Sequence, residues 1–462
     1  MICVSVSSAD DVENAFEIGD AIELRTDLAE FDIEKIIKNK KKPVIVTDRK
    51  GNVGILKNAI ELGADFIDVD LELGIDIVQE LAANRKNTKI ILSYHNFDET
   101  PDDCYMVYDN MVMFNPDIVK IVTFANQLSD NLKIFDLIKR SEKPIIAFCM
   151  GDKGEISRIL SQMYGAFLTF GCITGKETAA GQIEALELRD VYRVNELNEK
   201  TRILGVIGNP VKYSKGRIMH NMGFKHAGLN YVYVPFLTDD IEDTMRVIEA
   251  LDAKGASVTM PCKQKIMKFL DEVEPVAAKI GAVNTIVNKD GRFIGYNADM
   301  VGAVKALEAE TTLAGKNIAV LGAGGAARAV AYGIKQKGAK VTILNRTIDK
   351  AKQVAQEFGC SYGSLDKIGN LKIDILINTT SVGMAPNTEE SLVDKEFLKE
   401  MIVMDAVYSP VMTKLLKDAK ENGCKIISGI EMYLYQAAEQ FKIWTGIDAP
   451  MQFMREQVMK LD

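Results

Sequence analysis

Histidine, tryptophan and paired cysteine are scarce in this chain. Its 462 residues include three histidines (His95, His220, His226), one tryptophan and seven cysteines. The histidines lie far apart and form no ligand cluster, so no metal site is expected. The cysteines are odd in number and never spaced as a CxxC pair, which excludes a disulfide framework and points to the reduced cytoplasm. No apolar run approaches the roughly 18 residues that a membrane-spanning helix needs. Met1-Ile2-Cys3-Val4-Ser5-Val6 enters a strand pattern at once, and no leader sequence is expected. An excess of positive charge is also missing. The net charge of −9 argues against a nucleic-acid surface.

Hydrophobic residues make up 47% of the chain, enough to bury sizeable cores, and the length suggests two or three domains. Residues 1 to about 190 alternate strand and helix patterns. The strand runs are Ile2–Val6, Ala21–Leu24, Pro43–Thr47, Phe66–Val69, Lys89–Ser93, Ile118–Val122, Pro144–Phe148 and Ala166–Phe170, with helical patterns such as Ile33–Lys38 and Ile75–Ala83 between most of them. Eight such units predict an α/β fold, a (β/α)8 barrel.

One lysine, Lys120, stands in the middle of the apolar run Ile118–Val122. A buried ammonium is costly unless it is paired or gives up its proton, and a neutral amine is a nucleophile. Other polar residues fall in phase with it. Arg25, Arg49, Glu72, His95 and Lys120 are separated by 24, 23, 23 and 25 residues, one strand–helix unit each time, and Glu23 and Asp70 lie beside them. That spacing brings them to one mouth of the barrel, the C-terminal face where chemistry sits in this fold. Lys120 suits Schiff-base formation, His95 proton transfer, and Arg25, Arg49 and Arg158 a carboxylate. The residues alone predict a lyase or aldolase acting on a keto acid.

Glu23-Leu24-Arg25, Ser93-Tyr94-His95-Asn96-Phe97, Asp117-Ile118-Val119-Lys120, Ser157-Arg158 and Gly181-Gln182 together resemble type I 3-dehydroquinate dehydratase. The resemblance implies that Lys120 forms an imine with 3-dehydroquinate and that His95 is the general acid/base. It also implies that Glu23, Arg25, Arg49, Arg158, Thr178 and Gln182 hold the substrate during syn loss of water. Val53 departs from a glutamate common in that family, and Thr178-Ala179-Ala180 from a Ser-Ala-Pro sequence.

The polar stretch Asn195–Arg202 separates this half from the next, with the boundary expected near 198. Beyond it, the strand Ile318–Leu321 runs into Gly322-Ala323-Gly324-Gly325-Ala326-Ala327 and a helical pattern Arg328–Lys337, a dinucleotide fingerprint in the right context. The next strand, Lys340–Leu344, ends at Asn345-Arg346-Thr347 with no acid for a ribose 2′-hydroxyl. Arg346, with Lys350 one turn on, suits a 2′-phosphate, so NADP is predicted over NAD. A further strand, Ile373–Ile377, leads to Thr379.

Gly208-Asn209-Pro210-Val211, Val258-Thr259 with Pro261 and Lys263, Gly281-Ala282-Val283-Asn284-Thr285, Asn297 with Asp299, Asn345-Arg346-Thr347 and Gly429-Ile430 with Met432 and Gln436 resemble shikimate dehydrogenase over about 202–462. The resemblance implies a Lys263–Asp299 catalytic dyad and binding of 3-dehydroshikimate or shikimate by Ser214, Thr259, Asn284, Tyr408 and Gln436. NADP would lie on Gly322, Ala323, Gly324, Gly325, Ala326, Asn345, Arg346, Thr347, Lys350, Thr379 and Gly429. The expected division is a barrel at 1–198, a substrate lobe at 199–310 completed by 429–462, and a Rossmann-type NADP lobe at 311–428. Tyr213-Ser214-Lys215-Gly216-Arg217 departs from the family's His-Ser-Lys-Ser-Pro, and Ser257 from a common asparagine, so quinate dehydrogenase activity is the alternative. A non-catalytic sensor would be expected to lose Lys120, His95, Lys263 or Asp299, and all four are present. Oligomeric state is open between monomer and homodimer.

Overall fold

A computed structural model describes residues 1–211 and 214–460. The chain divides into two compact units. Met1–Gly205 together with Asn230–Leu251 belongs to the first, and most of the chain from Asp252 onward to the second.

In the first unit, strands β1 (Ile2–Val6), β2 (Ala21–Arg25), β3 (Val44–Thr47), β4 (Phe66–Asp70), β5 (Lys89–His95), β6 (Ile118–Phe124) and β7 (Ile145–Met150) pair in parallel, each with its neighbour in sequence, and are joined by β8 (Thr169–Cys172). β8 pairs with β1, and just before β8 the Phe167 N–H donates to the Ile145 carbonyl of β7 at 2.7 Å, so the sheet curls into a barrel. Both faces of the strands are buried, so most of their residues are apolar, with polar side chains such as Glu23, Asp68 and Lys120 kept to the inside. Cys3, Ala21, Ile45, Phe66, Ile91, Ile118, Ile146 and Phe170 fill the interior. Helices α1 (Val12–Ile18), α2 (Ile33–Lys38), α3 (Val53–Leu62), α4 (Ile75–Ala83), α5 (Cys104–Val112), α6 (Asp130–Arg140) and α7 (Glu155–Leu160) follow β1 to β7 in turn. Helix α6 buries Ile134, Phe135, Leu137 and Ile138, one apolar stripe of an amphipathic helix.

One local expectation is corrected. The last barrel strand is Thr169–Cys172, not Ala166–Phe170, because its ladder with β1 begins at Thr169 while the Ala166 N–H still bonds the Ser161 carbonyl. Ahead of the polar stretch, Glu187–Val191 forms a π-helix, in which the Tyr192 N–H reaches back five residues to the Glu187 carbonyl.

The second unit holds a six-stranded parallel sheet in the order Ser361–Gly363, Lys340–Leu344, Asn317–Leu321, Ile375–Asn378, Ile402–Asp405, Lys425–Ile427. Numbered by sequence this is 3-2-1-4-5-6, the doubly wound order. Its switch point lies between the strands ending at Leu321 and Asn378. A mixed sheet contains Gly255–Val258, Thr285–Lys289, Arg292–Tyr296 and Glu272–Val273. The long helix Gly429–Thr445 packs Ile430, Leu434 and Ala437 with Met219, Met454 and Val458. Trp444 on that helix donates its indole N–H to the Ile286 carbonyl at 3.0 Å. Among the described residues, no helix is long and apolar enough to cross a membrane, and no group of three His, Cys, Asp or Glu is placed to hold a metal ion.

Candidate active sites

At the barrel's C-terminal mouth lies a cavity of about 430 Å³. Its lining includes Glu23, Arg25, Arg49, His95, Lys120, Arg158, Thr178 and Gln182, so all eight residues read from the sequence of the first half converge there. Successive strands supply them at one level because the strand register is even. Ser5 stands beside Glu23, Thr47 beside Asp68, and Ser93 beside Lys120.

Lys120 is 4% exposed, and its Nζ lies 2.7 Å from Asp68 Oδ2 and 3.5 Å from Glu23 Oε1, over the ring of Phe170. Its burial is therefore met by pairing. Burial alone would raise the Asp68 carboxyl, but Arg49, Lys120 and His95 outweigh it and hold it below the usual carboxylate range. Glu23 is lowered against the same burial by Lys120 and Arg25, and accepts hydrogen bonds from Ser5 (2.7 Å) and Thr47 (2.9 Å). The strand pattern Phe66–Val69 does not by itself single out Asp68. Alternation along that strand puts Phe66, Asp68 and Asp70 on a common face, and a charged residue in a strand centre is the same signal that singled out Lys120.

His95 ends β5. Its Nδ1 is 3.1 Å from both Asp70 Oδ2 and Arg49 Nη1. Burial pushes the imidazole below its ordinary value. Asp70 opposes the shift, while Arg49 and Lys120 add to it. Glu72, the residue in phase by spacing, stays at the exposed rim, whereas Asp70 makes the contact to His95.

The arginines differ from one another. Arg25 is held in a two-pronged pair by Asp27, at 2.9 and 2.7 Å, and Arg49 by Asp70 and Asp68. Arg158 is 1% exposed with its Nε unbonded, and its Nη2 reaches the Ala180 carbonyl at 3.2 Å. No carboxylate pairs with it among the described residues, and burial lowers its pKa to about 10. A desolvated guanidinium of this kind is poised for an external carboxylate. Thr178 and Gln182 belong to the covering loop, where the Thr178 N–H and Oγ1 both donate to Gln182 Oε1. Gly181 allows that loop its approach. With φ +68, a Cβ there would lie 2.4 Å from the Gly151 carbonyl oxygen. Val53 opens α3.

In the second unit, Lys263 Nζ lies 2.5 Å from Asp299 Oδ2, and Asn284 Nδ2 donates to Asp299 Oδ1 at 2.8 Å. Asp299 sits in the first turn of helix Ala298–Glu308, which Asn297 caps by accepting from the Met300 N–H. Thr259 follows strand Gly255–Val258, and its N–H donates to the Ile207 carbonyl. The hydroxyl of Tyr408 bonds Ser214, and its ring stacks on Tyr433 at 4.4 Å. Gln436 packs over Gly302 from helix Gly429–Thr445. Tyr213 lies outside the described residues. Sequence reading missed Gln440 on the same long helix. Buried, it donates to the Asn284 carbonyl and to Thr285 Oγ1 and accepts from Ser257 Oγ, all at 2.9 Å. A glutamine on the buried stripe of an amphipathic helix was its only signal.

The dinucleotide loop fits a bound nucleotide on its own geometry. Gly322 has φ +112, and a Cβ there would lie 2.8 Å from Thr379 Oγ1, which puts Gly322 and Thr379 together at the switch point. Gly324 is the N-cap of the helix Gly325–Gln336, and a Cβ on it would meet only open space. A pyrophosphate beside that helix end would face its free backbone N–H groups. Ala323 and Ala326 are half-buried in the same turn. Asn345, whose side chain donates to the Thr347 carbonyl, leads into Arg346, Thr347 and Lys350, all exposed. Gly429 is buried and packed on the Val407 carbonyl, where a Cβ would come within 2.3 Å.

Residues 2–199 match the family described as Type I 3-dehydroquinase, and 206–286 the Shikimate dehydrogenase substrate binding domain. Residues 304–407 match Shikimate / quinate 5-dehydrogenase, and 429–459 the Shikimate 5′-dehydrogenase C-terminal domain. The chloroplastic bifunctional 3-dehydroquinate dehydratase/shikimate dehydrogenase of Arabidopsis thaliana is 37% identical, over 95% of this chain and 80% of its own length. The NADP(+) shikimate dehydrogenase of Pyrococcus furiosus is 48% identical over 56% of this chain and 96% of its own. A crystal structure of a shikimate dehydrogenase in complex with NADP+ is 43% identical, with a TM-score of 0.55, over 57% of this chain and 96% of that one. The chain belongs to the family of bifunctional 3-dehydroquinate dehydratase/shikimate dehydrogenases, NADP-dependent enzymes of the shikimate pathway.

Proposed function

We propose the following residue roles for the two reactions, dehydration of 3-dehydroquinate to 3-dehydroshikimate and its reduction to shikimate. Lys120 Nζ attacks the ketone of 3-dehydroquinate and forms an imine, which draws electrons from the adjacent carbon. His95, kept neutral near pH 7, moves the proton from that carbon and delivers one to the departing hydroxyl. Arg158 takes the substrate carboxylate, while Thr178, Gln182, Glu23, Arg25 and Arg49 fix the ring and the charges around Lys120. The observation that supports this most is that Lys120, His95 and an acid-free Arg158 line one cavity.

In the second reaction, Lys263 gives a proton to the ketone oxygen of 3-dehydroshikimate, and Asp299, held by Asn284, keeps the lysine in place. Bound NADPH supplies the hydride. Ser214, Thr259, Asn284, Tyr408 and Gln436 hold the hydroxylated acid. Gly322, Ala323, Gly324, Gly325, Ala326, Thr379 and Gly429 form the nucleotide cradle, and Asn345, Arg346, Thr347 and Lys350 hold the 2′-phosphate.

The functional division we propose is 1–198 for dehydration, 199–310 with 429–462 for shikimate binding and 311–428 for NADP. The protein works in the cytoplasm as a monomer or homodimer, without nucleic-acid or membrane partners. Supplying 3-dehydroquinate and NADPH together should yield shikimate. Borohydride added with 3-dehydroquinate should fix substrate mass on Lys120, and full dehydration by Lys120→Ala would overturn its role. Gly216, which stands where the family's second serine hydroxyl is usual, favours quinate as a second reading for the dehydrogenase half. Initial rates with shikimate and quinate, each under NADP and NAD, separate the two.

A further inference from the structure

The rim of the barrel mouth is held by two acids that lie more than 75 residues beyond α7 in the sequence. Within the first unit, the segment Asn230–Leu251 carries a strand, Tyr231–Leu237, and a helix, Ile241–Ala250. This segment falls inside the match to the shikimate dehydrogenase substrate binding domain. Its residue Asp243 is 3% exposed, and Asp243 Oδ2 accepts a hydrogen bond from the Ser129 N–H at 3.2 Å. Ser129 is the N-cap of α6, and its own side chain makes no capping bond. A carboxylate from a distant segment therefore supplies the acceptor at this helix N-terminus through one oxygen, while Arg246 holds its other oxygen at 2.9 Å. Four residues earlier, Asp239 Oδ2 lies 3.0 Å from Lys153 Nζ, which also donates to the Asn126 carbonyl at 3.0 Å.

These contacts lead to the cavity by short steps. The fully buried Asn131 in α6 donates to the Lys153 carbonyl at 2.9 Å, tying the α6 end to the Asp152–Gly154 turn. Just before that turn, the Gly151 N–H bonds the Ala180 carbonyl of the covering loop. Just after it, α7 carries Arg158, whose Nη2 reaches the same carbonyl. Arg158 and the loop bearing Thr178 and Gln182 thus rest on a turn braced from residues 239 and 243.

We propose that Asp243 and Asp239 are positioning residues for the dehydratase site, contributed by sequence that the dehydrogenase match claims. They set where Arg158 and the covering loop meet the substrate carboxylate. They touch no reacting atom, so their effect falls on substrate binding. Small displacements of a binding group are felt strongly in such sites. The proposal rests on the assignment of the 430 Å³ cavity to dehydration.

The test uses the full-length enzyme with Asp243→Ala, Asp243→Asn, Asp239→Ala and Lys153→Gln. Asp243→Ala should raise KM for 3-dehydroquinate by about three- to tenfold with kcat changed by less than about twofold, the range typical of energetic coupling through packed networks. Asp239→Ala and Lys153→Gln, each of which removes one charge of the partly exposed rim pair, should show the same split at smaller size, and salt should weaken the pair in the parent. Asp243→Asn keeps an oxygen for the Ser129 N–H and should restore KM towards the parent value. Shikimate oxidation should stay within about twofold throughout, as an internal control. Unchanged KM in Asp243→Ala and Asp239→Ala overturns the proposal, as does a parallel loss of both activities or a failure of Asp243→Asn to restore KM. Should Asp243→Ala not fold, Asp239→Ala and Lys153→Gln carry the decision. Absence of borohydride-trapped substrate on Lys120 in the parent enzyme would instead overturn the assignment of the cavity.

Discussion

Asp68 Oδ2 lies 2.7 Å from Lys120 Nζ, and both side chains are almost fully shielded from solvent. The two residues stand on β4 and β6 with β5 between them, so the pair reaches across one strand inside the barrel. An ion pair removed from water in this way tolerates the loss of one partner poorly, because the other charge is left uncompensated. Asp68→Asn should therefore destabilise the barrel by about 3 kcal/mol or more. Urea unfolding followed at two wavelengths would check it, and a loss below about 1 kcal/mol would show that Glu23 alone suffices to pair Lys120.

The pH dependence of dehydration should follow His95. Its folded-state pKa is depressed, by burial first and by Arg49 and Lys120 next. The neutral form needed to accept a proton then persists below pH 6.5, and the acidic limb of kcat/KM should lie under that value. Asp70 is the contact that opposes the depression. Asp70→Asn should move the limb to still lower pH, both by removing that contact and by freeing the charge of Arg49. A limb that moved upward in this variant would assign the titration to another group.

Asp405 offers a linkage test in the second unit. Burial raises its carboxyl to about 6, against hydrogen bonds from Thr413, the Val407 N–H and Asn378 that favour the charged form. The folded state thus holds a proton that the unfolded state releases near 3.8, and stability falls as pH rises through that window. The integrated loss is on the order of 1–3 kcal/mol. Asp405→Asn should flatten the stability profile between pH 4 and 6.5. The readout is the melting temperature of parent and variant across that range, and parallel profiles would contradict the shift.

Arg346 follows strand Lys340–Leu344 directly and is exposed. Arg346→Ala should raise KM for NADP by about tenfold, the scale of one charge-assisted contact to a phosphate, while KM for NAD stays within about twofold. Equal effects on the two cofactors would remove the 2′-phosphate from its role.

What could be read from residues alone was governed by periodicity. Lys120, His95, Arg25 and Arg49 were legible because a barrel repeats one strand and one helix per step, so a spacing of 23 to 25 residues is a spatial statement. Asp68 was not, since a strand of four residues has no spacing partner in phase, and only the alternation of its faces puts Asp68 inside. The Arg158 environment was only half legible. The residue could be placed at the mouth, but its lack of an acid partner depends on Asp27, Asp68 and Asp70 engaging the other two arginines, and sequence order does not assign partners. Gln440 and Asp243 escaped for a common reason. Each acts on residues more than 100 positions away, Asn284 and Ser129, and no local pattern encodes such a contact.

The helix Gly429–Thr445 begins 130 residues after Asp299, and through Gln440 it steadies the strand start at Asn284 and Thr285. On the ribosome the two activities should therefore mature in sequence. Every group lining the dehydratase cavity has been synthesised by Gln182, and the bracing acids Asp239 and Asp243 follow some sixty residues later. The Lys263–Asp299 pair must wait a further 130 or more residues for its supporting helix. A nascent chain should thus be able to dehydrate substrate well before it can reduce the product, and chains stalled late in synthesis would release 3-dehydroshikimate unreduced.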